Sequence, residues 1–178
     1  MFLDNDSDVK IAGDKPSRDI KNNAGAAEER TVSKEQREAA KKVGAYVAEQ
    51  FLKDAAELPE GENTDYNLLM QRRLLLSFSA TAGFEQYIGD DVLSGVAQKS
   101  FLDTVRRGGE DIYKTSSDMG AFSFYYLAFR RGNDIERRMG QTFAMLCSHD
   151  GDPIFQELGE ALYCWFTSVV KQAIKDYM

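Results

Sequence analysis

Between Asp65 and Ile88 the chain carries large apolar side chains around almost the whole circumference of a helix: Leu68, Leu69, Leu74, Leu75, Leu76, Phe78, Phe84 and Tyr87. A surface helix confines such residues to one stripe, so a helix that is apolar on every side has to be enclosed by others. This requirement selects a multi-helix fold with one central member. Thr64 or Asp65 stands where the N-cap belongs, and Gly89 marks the end.

The neighbouring segments supply the enclosing helices. Ser33 and Gln36 have capping-box spacing and open a helix in which Val43, Val47, Phe51 and Leu58 recur at helical intervals, before Pro59-Glu60-Gly61 stops it. A shorter amphipathic helix follows from about Asp91 to Arg107, through Val92, Val96, Phe101 and Val105, and closes at Gly108-Gly109. Thr115 and Asp118 again have capping-box spacing and predict one helix from Thr115 to Arg131. Phe122, Phe124, Tyr125, Tyr126, Leu127 and Phe129 wrap most of its surface, and Ser116, Gly120, Ser123 and Leu127 form a strip of mainly small residues that would admit a neighbouring helix. A fifth helix carries the stripe Ile135, Met139, Phe143 and Leu146. The last begins at Asp152-Pro153, an N-cap followed by proline at the first helical position. Its apolar arc runs through Ile154, Leu158, Leu162, Trp165, Phe166, Val169 and Val170, and its polar face through Glu157, Glu160, Cys164, Ser168, Lys171 and Lys175.

No segment alternates with period two, so no sheet is expected. The fold class is all-α: a bundle-like array of five to six helices over residues 33–178, with a flexible polar N-terminal tail over residues 1–32. Three of these helices are too apolar for a broad wet face, which calls for a layered core or a buried homodimer surface.

Charge and composition exclude several functions. The net charge of −7 argues against general nucleic-acid binding and against adsorption to anionic membranes. No apolar run approaches the roughly 20 residues of a membrane span, and the acidic opening Met1-Phe2-Leu3-Asp4 does not suit a signal peptide, so the cytoplasm is the expected location. Two cysteines, Cys147 and Cys164, make no disulfide framework. The single histidine, His149, rules out the paired Glu-x-x-His motifs of di-iron bundles and the zincin motif. Its neighbours Cys147, Asp150 and Asp152, with Cys164, match no structural zinc spacing. Phosphate-loop and dinucleotide fingerprints are missing, and Glu157 with Glu160 has no matching second acidic pair. No catalytic residue, metal or cofactor is therefore predicted.

Eight arginines occur as four adjacent pairs. Arg106-Arg107 and Arg130-Arg131 sit where helix C-termini attract positive charge, and Arg137-Arg138 fall on a solvated face. Arg72-Arg73 interrupt the most apolar helix, and neighbours 100° apart cannot share one exposed stripe, so at least one needs a buried anionic or carbonyl partner. Arg72 shares its face with Ser79 and Gly83, small enough to leave a groove. Asp118 is the candidate protein partner. The alternative is a pocket for a small anionic ligand between the second, fourth and sixth helices, lined by Arg72 or Arg73, Tyr125 or Tyr126, and Tyr87. The sequence thus reads first as a non-enzymatic helical protein that binds a protein partner or itself. Second comes a small-molecule binding protein for an anionic or apolar ligand, and third a hydrolase with an unrecognised acidic site.

Overall fold

The computed structural model describes residues 32–57, 65–117 and 119–178. The predicted tail up to residue 31, Leu58, the Pro59–Gly61 stop and Asp118 lie outside the described residues. Seven helices, and no strand, occur among the described residues: α1 (Lys34–Glu57), α2 (Tyr66–Ile88), α3 (Asp91–Gly108), α4 (Glu110–Ser116), α5 (Met119–Arg130), α6 (Ile135–Leu146) and α7 (Pro153–Tyr177).

The all-helical class is as expected, but the helix count is not. One predicted helix, Thr115–Arg131, is in fact the end of α4 and all of α5. Three successive hydroxyl residues mark the break. Thr115 donates to the Asp111 and Ile112 carbonyls, while Ser116 and Ser117 both donate to the Tyr113 carbonyl, at 3.1 and 2.7 Å. Hydroxyls that satisfy the carbonyls of the preceding turn compete with helix continuation. Thr115 therefore lies inside the last turn of α4 and opens no helix.

The other boundaries follow local chemistry. The Ser33–Gln36 box closes reciprocally, with the Ser33 amide donating to Gln36 Oε1 at 2.9 Å and the Gln36 amide to Ser33 Oγ at 3.2 Å. Asp65, Asp90 and Asp152 accept from the amides of Leu68, Leu93 and Ile154, so each cap satisfies a donor that the helix leaves open. Gly89 ends α2 in the left-handed region at φ 71°.

As the sequence demands, α2 is central, and it packs against each of the other six helices. Phe51, Phe84, Phe101 and Phe166 interlock in edge-on contacts with ring centroids 5.7–6.3 Å apart, joining α1, α2, α3 and α7. Phe78 collects Phe122, Tyr125 and Phe129 and so ties α5 to α2. The outer helices pair at two glycines. A methyl group on Gly44 would stand 2.1 Å from the Ala97 carbonyl oxygen, so α1 and α3 touch backbone to backbone there. Ser100 Oγ donates to the Lys41 carbonyl across the same crossing at 2.8 Å. Gly140 plays this part between α6 and α7, where a Cβ would lie 2.2 Å from the Gln156 carbonyl oxygen.

Alanine is the better helix former by roughly 1 kcal/mol, so propensity alone would favour replacing either glycine. Gly44→Ala should instead destabilise the protein by about 1–3 kcal/mol, because the carbonyl it meets belongs to a packed helix and the pair must separate. Gly95, also helical, has nothing within 4 Å of its missing Cβ. Gly95→Ala should stabilise by up to about 1 kcal/mol. Urea denaturation of both variants checks the opposite signs; a Gly44→Ala protein as stable as Gly95→Ala would contradict the close crossing.

Candidate functional site

A cavity of about 630 Å³ lies between α2, α3, α4 and α5. Along α2, Ser77, Phe78, Thr81, Ala82 and Glu85 follow one stripe at helical spacing and form one wall. Gln98 and Leu102, one turn apart on α3, form the second. Tyr113, Ser116 and Ser117 come from the end of α4, and Phe122, Ser123 and Tyr126 from α5. The cavity lies beside the break between the seven-residue α4 and α5.

The polar lining is specific. Ser77 is 1% exposed, and its hydroxyl has no hydrogen-bond partner among the described residues. A buried hydroxyl without a partner costs free energy. Thr81 Oγ1 donates to the Ser77 carbonyl at 3.2 Å. Two tyrosines are held from outside by arginines. Arg106 Nη2 donates to the Tyr113 hydroxyl at 2.7 Å with its guanidinium 4.4 Å from the ring centroid; Arg130 treats Tyr126 the same way, at 2.7 and 4.7 Å.

Of the described residues singled out by sequence as site candidates, Tyr126 lines this cavity and Arg72, Arg73 and Tyr125 do not. Arg72 makes a two-pronged pair with Asp54 of α1, from Nε to Oδ2 at 3.0 Å and from Nη2 to Oδ1 at 2.5 Å. Asp54 thus faces it, while the expected partner Asp118 lies outside the described residues. The pair opens onto a shallow recess of about 280 Å³ beside Leu158 and Trp165. The groove expected from Ser79 and Gly83 is filled: a Cβ at Gly83 would lie 3.0 Å from Val170, and Ser79 Oγ donates to the Leu75 carbonyl. Arg73 is 7% exposed, as expected for one member of the pair. Tyr125 is fully buried, and burial, with a smaller contribution from Cys147, pushes its phenol well above the usual range.

Against protein families, characterised proteins and solved structures, the chain finds no match. Function must therefore be argued from the residues.

Among the described residues no three His, Cys, Asp or Glu side chains converge in a way that could hold a metal ion. His149 stacks on Phe155 at 3.7 Å with the rings 9° from parallel, so its ring face packs against an aromatic neighbour. No helix among the described residues is long and apolar enough to cross a membrane. Sequence reasoning overlooked Ser77, Thr81, Glu85, Gln98 and Tyr113. A usable signal was present in the hydroxyl run Thr115-Ser116-Ser117 and in Ser77 and Thr81, polar residues one turn apart inside the most apolar helix.

The two thiols differ in environment. Cys147 is buried; burial, and then the nearby Asp65 charge, push its pKa up to about 12. Cys164 is exposed, but partial burial followed by Glu136 and Glu160 raises it, with Lys171 opposing. The thiolate is the reactive form, so a raised pKa slows reaction at neutral pH. A maleimide should label one thiol per native chain, at a rate that climbs as pH rises toward and past 9, and two in denaturant. Fast labelling of both thiols in the native protein at pH 7 would contradict this arrangement.

Proposed function

We propose that this protein binds a small, largely apolar molecule in the cavity between α2, α3, α4 and α5. The observation that carries this reading is a cavity of about 630 Å³ with aromatic walls from Phe78, Tyr113, Phe122 and Tyr126 and a few polar side chains, Thr81 and Gln98 among them. Ligand sites have this size and this make-up, mostly apolar with a few polar groups that fix orientation. The acidic clusters a hydrolase would use have no counterpart among the described residues. Two free thiols support a reducing, cytoplasmic setting.

The reading has a direct test. A neutral fluorophore whose emission rises in apolar surroundings, N-phenyl-1-naphthylamine, should bind the native protein at one saturable site. Thr81→Trp, which fills the cavity from its α2 wall, should abolish that binding while leaving the far-ultraviolet circular dichroism unchanged. Arg72→Ala should bind as the wild type does, although it loses stability through Asp54. Retained binding in Thr81→Trp with loss in Arg72→Ala would place the ligand at the α1–α2 recess instead.

Self-association is the second reading, and a separate observation favours it. On the outward face of α5, Phe124 is 50% and Leu127 59% exposed, beside the small residues Gly120 and Ser123. Small residues next to large apolar ones let a second helix approach closely, and monomers rarely leave such a face to water. Sedimentation should give a homodimer for the wild type and a monomer for Leu127→Glu. A wild type that stays monomeric at high concentration would rule this reading out.

A further inference from the structure

Resting on the cavity reading above, we infer that the ligand is a lipophilic amine, bound as its ammonium ion, with Glu85 as counter-ion. Among the described residues Glu85 is the single carboxylate in the lining, and no described lysine, arginine or histidine joins it there. The two nearby guanidiniums, of Arg106 and Arg130, lie against Tyr113 and Tyr126 and are not part of the lining.

The hydroxyls point the same way. Thr81, Ser116 and Ser117 each direct their one proton to a carbonyl about one turn back: Ser77 for the first, Tyr113 for the other two. A hydroxyl has one proton and two lone pairs, so these three can meet a ligand only as acceptors. With Glu85 they add acceptors to the lining, while the Tyr113 and Tyr126 hydroxyls, which accept from Arg106 and Arg130, each keep a proton to donate, and Gln98 offers both kinds. A carboxylate or phosphate entering here would meet the like charge of Glu85. An ammonium group can donate to Glu85 and to these acceptors, and the rings of Phe78 and Phe122 attract a cation as well as an apolar body.

Three naphthalene probes of matched size separate the possibilities: 1-naphthylmethylamine, 1-naphthalenemethanol and 1-naphthoate, titrated calorimetrically into the full chain at neutral pH. The amine should bind tightest and the naphthoate weakest. Glu85→Gln, a near-isosteric change at an exposed position, should weaken the amine by about fivefold and leave the alcohol within about twofold, as befits a charge pair open to solvent. Alcohol or naphthoate binding as well as the amine, or an amine indifferent to Glu85→Gln, would overturn the cationic ligand while the cavity reading stands. If none of the three binds, the cavity reading falls and the amine with it. Thr81→Trp controls for binding elsewhere, because amine affinity that survives it is not affinity for this cavity.

Discussion

Burial of α2 on every side is the constraint on which the rest of the structure depends. Leu74, Leu75 and Leu76 are consecutive, point in three directions, and are all fully buried. Each such side chain contributes about 1.5–3 kcal/mol when removed from water, so no face of α2 can be left open cheaply. The chain answers by laying all six other helices against it. Enclosing one helix with six is geometrically tight, and the outer helices fit only by approaching one another closely at Gly44 and Gly140, where backbone meets backbone. Six helices of unequal length do not tile a cylinder evenly. The shortest, α4, borders the cavity over Ser77, Thr81 and Glu85.

Much of the fold was legible because its causes are local. The central place of α2, the Ser33–Gln36 box, the Asp65 and Asp152 caps and the polar face of α7 each follow from residues within a few turns of one another. The break after Ser117 was legible in principle, from three hydroxyl residues in a row, but Thr115 and Asp118 carried the capping-box spacing as well and pointed to a helix start. Two local signals competed, and which one prevails depends on whether the hydroxyls reach backward to carbonyls or forward to amides.

The site was far less legible, for a different physical reason. Its walls come from four helices spread between Ser77 and Tyr126, and the cavity is defined by what those walls fail to fill. Arg72 illustrates the limit. A charge in the middle of an apolar helix correctly implied a partner, yet nothing in the pattern chose among the carboxylates of the chain. Asp54, eighteen residues earlier, holds it through two hydrogen bonds. With that guanidinium neutralised, the case for an anionic ligand beside it weakens, and the polarity of the real cavity has to be read from the hydroxyls and the carboxylate that line it.

The most direct measurement is an amide chemical-shift map of the isotopically labelled protein titrated with 1-naphthalenemethanol. Binding in the cavity would move the amides of Ser77–Glu85 on α2 together with those of Tyr113–Ser117 and Phe122–Tyr126, and leave Asp54, Arg72 and Trp165 in place. Shifts confined to Asp54, Arg72, Leu158 and Trp165, or none at saturating probe, would contradict the assignment of this cavity as the binding site.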